Sequence, residues 1–215
     1  MTQKLPLFPL NTVLFPGAPL PLHIFEERYR LMIGRCIEQR APFGVVLLRE
    51  GLETSTNVAF VPVGTSAQIQ EAVRLDDGRY YLVAVGQRRF RIQYLLQRLP
   101  YFVASVVYLP EEAGAAAAEG AQQLRALYGR YCAAISAATG ARVEDEPLPG
   151  DVVELTYWMA HRLQVVNAQK QRWLEADVAT RLREMVAALR GELALLPDAG
   201  PGPRDTGLAG PTSLN

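Results

Sequence analysis

The residues that most often carry out catalysis are scarce in this sequence. Two histidines and two cysteines occur among its 215 residues: His23, His161, Cys36 and Cys132. A serine or cysteine nucleophile needs a base within hydrogen-bonding reach, and that base is usually histidine. His23, three residues before Glu26, could act as a base or a metal ligand, but an isolated surface histidine explains it better. We therefore expect neither a catalytic site nor a metal site.

The other candidates for chemistry have simpler structural explanations. Cys36 and Cys132 recur with apolar residues at helical spacing, where a free cysteine packs as a small hydrophobic side chain. His161 has Trp158 and Val165 at helical spacing, so packing is again the better explanation. Neither a G-x-x-x-x-G-K-[ST] loop nor a G-x-S-x-G motif is present. The sequence predicts a protein without enzymatic activity and without a cofactor.

Composition limits the partners and the compartment. Lys and Arg together number 22 and so do Asp and Glu, which makes the net charge zero. Nucleic-acid-binding proteins usually carry a basic excess, so nucleic acid is disfavoured as a partner. Two cysteines are too few for a disulfide scaffold, which indicates a reduced, cytoplasmic protein. Prolines interrupt the apolar N-terminal stretch, so we expect neither a signal peptide nor a membrane span.

One cluster of positive charge keeps an RNA-binding alternative open. A row of guanidinium groups on a sheet face can contact phosphates. The simpler explanation is a solvated sheet face, and the zero net charge favours it. The cluster lies in one hairpin region and consists of Arg88, Arg89, Arg91 and Arg98.

Extended segments dominate the first half of the chain. The pair Pro16-Gly17 predicts a turn between two short extended pieces, Leu5–Leu10 and Thr12–Phe15. Their prolines lack an N–H and therefore belong at a sheet edge or a crossover. A helix should follow, because apolar residues recur at helical spacing. These residues are Phe25, Tyr29, Met32, Ile33, Cys36 and Ile37.

Further strands are predicted up to residue 110. Asp76-Asp77-Gly78 lies between two long extended runs, and Asp-Gly in that setting is typical of a hairpin. Many antiparallel strands with one early helix favour a small, closed or nearly closed barrel. The expected strands are Phe43–Leu48, Val58–Leu75, Arg79–Tyr94 and Tyr101–Tyr108.

The second half of the chain has the spacing of four helices. Asp151 and Asp177 are expected to cap the second and fourth, and Asn167 the third, which should run to Leu174. Short connections favour a compact bundle. We therefore predict a barrel domain at residues 1–110, a helical bundle at 111–196 and a Gly/Pro-rich tail at 197–215.

Several motifs resemble those of the Lon N-terminal domain, the substrate-recognition part of the ATP-dependent Lon protease. Leu5–Leu10 is similar to its Leu-Pro-Leu-x-Pro-Leu strand, Phe15–Gly17 to its Phe-Pro-Gly turn, and Pro21–Phe25 to its lead into a helix. Val85-Gly86 with Arg89–Ile92, Pro100-Tyr101 and Lys170–Leu189 continue the resemblance in the family's order. Together these motifs cover about residues 4 to 196.

The resemblance implies a fold and a function. The fold is an α+β protein with a small, mostly antiparallel PUA-like pseudobarrel and one early helix, followed by a C-terminal four-helix bundle. The function is a non-enzymatic binding module for unfolded polypeptide or a protein partner. Ser136 and Lys170 do not occur in the sequence context of the Lon catalytic dyad, since Ser136 lies in an alanine-rich helix. We therefore expect a Lon-like domain without protease activity.

An apolar groove at the rim of the barrel is the predicted partner site. Large exposed apolar patches mark binding sites, and an edge strand can accept an added peptide strand. Burial in the core is the alternative for each of these side chains. The predicted groove contains Phe15, Pro16, Leu20, Leu22 and Phe25, with Arg28 and Tyr29 beside it.

Overall fold

A computed structural model describes residues 2–49, 60–114, 117–140 and 147–195. Within these ranges the chain forms six strands and five helices, which confirms the predicted α+β class with one early helix and four later ones. The likeness of the barrel to the PUA class stays a prediction. In chain order the elements are β1 (Gln3–Leu10), β2 (Pro19–Ile24), α1 (Glu27–Gln39), β3 (Phe43–Leu48), β4 (Phe60–Arg74), β5 (Tyr80–Gln97), β6 (Phe102–Tyr108), α2 (Ala117–Thr139), α3 (Val152–Arg162), α4 (Asn167–Glu175) and α5 (Val178–Leu195).

Strand β5 closes the sheet into a barrel. The strand order is β2-β5-β4-β3-β1-β6, and β6 pairs with β5 as well as with β1. The first half of β5 pairs with β2, whereas the second half, from Phe90 to Gln97, pairs with β6. Five strands therefore form a closed ring and β2 lies outside it. The β1–β3 pair is parallel and the other pairs are antiparallel.

The barrel interior is packed tightly enough to require glycine in its wall. Phe90 is fully buried there, together with Leu5 and Leu7. A Cβ atom built on Gly44 would lie 2.8 Å from both the Phe90 ring and a Leu5 methyl group. The glycine at the second position of β3 therefore allows the barrel to close around Phe90.

The hairpin between β4 and β5 confirms the Asp-Gly prediction. Gly78 has a φ of +80°, and its N–H donates to the carbonyl of Leu75 at 2.9 Å. The N–H of Leu75 in turn donates to the carbonyl of Arg79 at 2.8 Å. Val58, which began the predicted β4 run, lies outside the described residues.

The second N-terminal strand differs from its prediction. Thr12–Phe15 is irregular rather than extended, because Val13, Leu14 and Phe15 turn into the core and the Leu14 carbonyl accepts a hydrogen bond from Thr65 Oγ1 at 2.6 Å. The strand forms after the turn instead, as β2 at Pro19–Ile24. The turn itself is confirmed, with a φ of +78° at Gly17.

Two of the three predicted helix caps are present. The carboxylates of Asp151 and Asp177 accept the N–H groups of Glu154 at 2.9 Å and Thr180 at 2.8 Å, as expected for N-terminal caps. The cap predicted at Asn167 is wrong, since Asn167 already lies within α4. Its side-chain amide instead donates to the carbonyl of Asn11 at 3.0 Å, which links α4 to the barrel side of the molecule.

A single hydrophobic cluster joins the outside of the barrel, α1 and the four later helices. Phe15 lies at the junction, with its ring centroid 6.1 Å from that of Tyr157 on α3. The division into domains at residue 110 stays a prediction, and the predicted tail at 197–215 lies outside the described residues. Among the described residues, no helix combines the length and apolar character needed to cross a membrane.

Candidate functional site

The structure does not assemble the predicted rim groove. Phe15 is 0% exposed and Tyr29 is 6% exposed, so neither can contact a partner at the surface. The Tyr29 ring lies 4.3 Å from that of Phe8, and burial raises the pKa of its hydroxyl. Both side chains are therefore buried in the core, which was the alternative to a groove. The turn at Gly17 directs Phe15 inward, and α1 directs Tyr29 toward the barrel.

The other five groove residues fall in different places. Leu20 and Leu22 are half-buried and pack against the core, while Pro16 lies in a cleft beside α3. Phe25 is 61% exposed. Arg28 forms an ion pair with Glu26 at 2.7 Å and lies over the Tyr29 ring at 4.6 Å. Of the predicted set, Phe25 and Leu22 border a continuous apolar surface.

We call that surface the outer sheet face. Tyr81 on β5 pairs with His23 on β2 on one side and with Val73 on β4 on the other, so the three side chains form one row. The His23 and Tyr81 rings are stacked at 4.5 Å, and Phe25 lies 5.8 Å from His23. Tyr81 is 52% exposed and Val73 61% exposed. The outer sheet face consists of Pro21, His23, Phe25, Val73 and Tyr81.

A shallow depression runs along this face. Its volume is about 430 Å³, and Leu22, Val83 and Glu71 border it together with Pro21 and Tyr81. Among the residues that the structure describes, Glu71 is the one carboxylate that borders this depression. The surface is therefore mostly apolar and aromatic, and it lies on regular, hydrogen-bonded strands rather than on loops.

The prolines of β2 determine how its free edge can interact. Gly86 donates to the carbonyl of Ala18 at 3.0 Å, so the backbone groups of Ala18 point toward β5. Backbone direction alternates along a strand, which leaves Pro19, Pro21 and His23 pointing away from β5. Two of these three outward positions have no N–H to donate. The edge is therefore poorly suited to pairing with an added peptide strand.

The arginine cluster does not form one RNA-binding face. Arg89 is 7% exposed and its guanidinium contacts protein alone: it donates to the carbonyls of Leu174 at 3.0 Å, Ala176 at 2.7 Å and Pro110 at 3.1 Å. Because its assigned hydrogen bonds all go to the protein, the guanidinium is poorly placed for the RNA contact predicted for it. Arg89 instead links the barrel to the loop between α4 and α5.

A buried ionic cluster surrounds Arg89. One oxygen of Glu111, Oε1, pairs with Arg89, accepts a hydrogen bond from the Tyr157 hydroxyl and lies 3.6 Å from Arg181. Arg181 is fully buried and donates to the Trp173 carbonyl at 2.8 Å. Burial raises the pKa of Tyr157 and lowers that of Arg181. The cluster fixes the connector after β6 against three helices.

The remaining three arginines are exposed. Arg88 borders the cleft beside α3, and its guanidinium lies 4.3 Å from the centroid of the Tyr108 ring. Arg91 and Arg98 lie outside that cleft. Because Arg89 is buried, the four residues do not all share one exposed patch.

The cleft beside α3 has a volume of about 620 Å³. One helix supplies about a third of its lining residues, because side chains four residues apart on α3 share a face. These side chains are Val153, Glu154, Tyr157, Trp158, His161 and Arg162. The opposite wall comes from the Pro16–Pro19 turn, Gln87–Arg89 and the connector at Leu109–Glu111.

The histidines and cysteines occupy separate environments. His23 stacks on Tyr81, and burial together with the charges of Lys170 and Arg162 lowers the pKa of His161. Cys36 is buried in the core, which raises its pKa to about 11, and Cys132 is half-buried. Within the described ranges, no three His, Cys, Asp or Glu side chains come together as a metal site would require.

The sequence did not identify Tyr81 and Val73 as surface residues, nor the side chains of α3 that line the cleft. Tyr81 and Val73 lie in predicted strands, but the register of those strands does not follow from the sequence, so their position beside His23 could not be predicted. A signal for the cleft was present, because Tyr157-Trp158 and His161-Arg162 repeat at a spacing of four. That repeat lies beside the apolar stripe of the same helix, so packing in the core explains it equally well.

Residues 4–190 match the family model of the ATP-dependent protease La (LON) substrate-binding domain. Lon protease 2 of Myxococcus xanthus is 28% identical over 203 residues, covering 90% of this chain and 24% of that protein. Lon protease of Paraburkholderia phytofirmans is 29% identical over 203 residues, covering 90% of this chain and 25% of that protein. The chain thus spans about a quarter of the length of these relatives.

The fold is also similar to a solved Lon N-terminal domain structure. The Lon N-terminal domain protein from Xanthomonas campestris has a TM-score of 0.60 and 24% identity, covering 91% of this chain and 99% of that chain. At this identity the likeness concerns the fold alone. It agrees with the barrel-plus-helices architecture described above.

Proposed function

We propose a function from one established premise: the chain belongs to the family of the ATP-dependent protease La (LON) substrate-binding domain. Membership supports a role in substrate recognition. The finer proposal is that this chain binds unfolded polypeptide, without catalysis of its own, through the outer sheet face. The protease and ATPase activities of the full-length relatives are not carried over, since the chain spans a quarter of their length.

The observation that carries the proposal is the set of exposed apolar and aromatic side chains on the outer sheet face. Phe25, Tyr81 and Val73 are each more than half exposed, although residues of these types normally gain free energy from burial. An aromatic side chain buries roughly 150 to 250 Å² when covered, at about 25 cal/mol per Å² of apolar surface. Unfolded chains expose apolar side chains that can cover such a face.

The chemistry of the edge indicates how the polypeptide would bind. Because Pro19 and Pro21 provide no outward N–H, contact through side chains on the face is favoured over strand addition at the edge. Side-chain contact selects for apolar and aromatic character rather than for a fixed sequence. The nearby charges balance in part, as the Arg28–Glu26 ion pair illustrates, so salt should affect binding weakly.

Titration of a fluorescently labelled, permanently unfolded polypeptide with this protein tests the proposal by anisotropy. A labelled RNA and a labelled folded protein serve as parallel probes. Saturable binding of the unfolded chain that persists from low to high salt is the expected result. Salt-sensitive binding of RNA with no binding of the unfolded chain would contradict it.

Cytoplasmic location remains part of the proposal. It rests on the small number of cysteines and on the free thiols of Cys36 and Cys132. A protein that recognises unfolded chains would meet them in that compartment.

A further inference from the structure

The cleft beside α3 has features of a ligand site that the outer sheet face does not share. Its volume of about 620 Å³ falls within the range of roughly 300 to 1,000 Å³ typical of small-ligand pockets. It lies on the α3 side of the barrel, and none of the five residues of the outer sheet face lines it. Its walls come from α3 and three other chain segments, and Arg89, Glu111 and Tyr157 of these walls belong to the buried ionic cluster.

Part of the cleft wall is apolar and held in place. Pro16 and Pro19 line one side and Trp158 the other. The Trp158 ring is fixed by the guanidinium of Arg162 at 3.8 Å and by the edge of the Tyr128 ring at 5.4 Å. A half-buried indole and two proline rings in one cleft offer a surface for a flat or branched apolar group.

The charged groups of the cleft are mainly positive. Arg88, Arg89 and Arg162 line it and Arg181 lies directly behind, whereas Glu111 and Glu154 are the carboxylates. Glu111 already contacts both Arg89 and Arg181. Arg88 has no carboxylate partner among the residues that the structure describes, and the one assigned contact of its guanidinium is with the Tyr108 ring.

We infer that the cleft binds a carboxylate that carries an apolar group, with Arg88 pairing with the carboxylate and Trp158 contacting the apolar part. The planar guanidinium fork of arginine matches a carboxylate in a two-bond geometry. The stack on Tyr108 holds that fork in position, so little side-chain freedom is lost on binding. Such a carboxylate can belong to a free organic acid or to the last residue of a polypeptide.

Two features favour this chemistry over a nucleic acid. The cleft combines the guanidinium of Arg88, which pairs with no carboxylate of the described ranges, with apolar walls, whereas nucleic-acid sites use several phosphate contacts along a track. Arg89 and Arg181 cannot contribute such contacts, since their donors are used by protein carbonyls and Glu111. One anionic group with an apolar neighbour fits this arrangement better.

The test compares 4-phenylbutyrate with its neutral amide, 4-phenylbutanamide, by observing the indole N–H resonances of Trp158 and Trp173 on titration. The acid should shift the Trp158 signal saturably and leave buried Trp173 unchanged. One charge-assisted hydrogen-bonded pair predicts that the amide binds about tenfold more weakly. Equal binding of both probes, or no shift with the acid, would overturn the inference.

Two variants and two peptides complete the test. Arg88→Gln should lower the affinity for the acid about tenfold, whereas Arg98→Gln, an exposed arginine outside the cleft, should leave it unchanged; thermal melts confirm that both are folded. A decapeptide ending in leucine, with a free or amidated C-terminus, distinguishes the sources. If the peptide with the free C-terminus binds more tightly than the amidated peptide, the carboxylate of the natural ligand belongs to a chain terminus. If the two peptides bind equally while 4-phenylbutyrate still binds, the natural ligand is a free acid.

The inference is independent of the outer sheet face. Phe25→Ser and Tyr81→Ser should leave binding of 4-phenylbutyrate unchanged, because neither residue lines the cleft. Displacement of the acid by an oligoribonucleotide in the wild-type protein would overturn the assignment to a carboxylate. Failure at one surface would therefore leave the proposal for the other intact.

Discussion

Replacing Glu111 with glutamine should destabilise the protein more than any other single charge removal at its surface. Glu111 is about one-fifth exposed and lies between Arg89, which is 7% exposed, and fully buried Arg181. Glutamine keeps the volume of the side chain but leaves two buried guanidinium groups without a counter-ion. Removing one partner of a buried pair typically costs about 3 to 5 kcal/mol.

The partial exposure of Glu111 places the expected loss at the lower end, about 3 kcal/mol of unfolding free energy. With a urea dependence of about 2 kcal/mol per molar, the midpoint should fall by about 1.5 M. Glu112→Gln is the matched control, because its exposed carboxylate belongs to no assigned ion pair and the change should stay within about 0.5 kcal/mol.

The assay is urea unfolding followed by circular dichroism and by tryptophan fluorescence. Both tryptophans lie in the helical part, at Trp158 and Trp173, so fluorescence reports that part while circular dichroism reports the whole chain. The continuous hydrophobic cluster predicts coincident transitions. A loss below about 1 kcal/mol for Glu111→Gln would refute the view that this cluster joins the barrel to the helices.

Three further predictions concern individual residues. At pH 8, iodoacetamide should label Cys132 in the native protein but not Cys36, because burial shields the Cys36 thiol and its raised pKa of about 11 keeps it protonated. An adduct found by mass spectrometry on the native Cys132→Ser protein would contradict this. The pKa of His161 is lowered from 6.5, so the unfolded chain takes up its proton first and stability should decline as pH falls through 6.5. His161→Asn should reduce this fall in unfolding free energy, measured by urea titrations at pH 5 to 7. An unchanged pH dependence in the variant would contradict the role of His161. Gly44→Ala should lower the stability by about 1 to 3 kcal/mol, because the new Cβ would meet the Phe90 ring. Gly129→Ala should raise the stability by up to about 1 kcal/mol, because the space around Gly129 in α2 is open. Thermal melts that rank the two variants in the opposite order would contradict the packing argument.

Local signals in the sequence predicted the elements that depend on local chemistry. The uninterrupted apolar run Phe43–Leu48 forms β3 at those bounds, and Asp77-Gly78 forms the turn before β5. The caps at Asp151 and Asp177 follow from the same kind of short-range hydrogen bond. In each case the deciding contacts lie within a few residues of one another.

The candidate site depends on contacts between distant segments, which sequence spacing does not reveal. Phe15 is in the core because Tyr157, more than a hundred residues later, packs against it. His23, Tyr81 and Val73 form a row because of strand register, and the register of β2 could not be derived while its prolines indicated a crossover. The family resemblance predicted the fold and the class of function but did not locate either surface.

Mapping the contact surface of a bound unfolded polypeptide tests the central claim most directly. A permanently unfolded chain with a nitroxide spin label would be added to the isotope-labelled protein, and the loss of amide signal intensity measured residue by residue. Our account predicts that broadening centres on β2 and the β4–β5 hairpin around Tyr81, and that Tyr81→Ser weakens it while Tyr94→Ser, an equally exposed tyrosine elsewhere on β5, does not. Broadening centred on α2 and α5, or an equal effect of both variants, would contradict it.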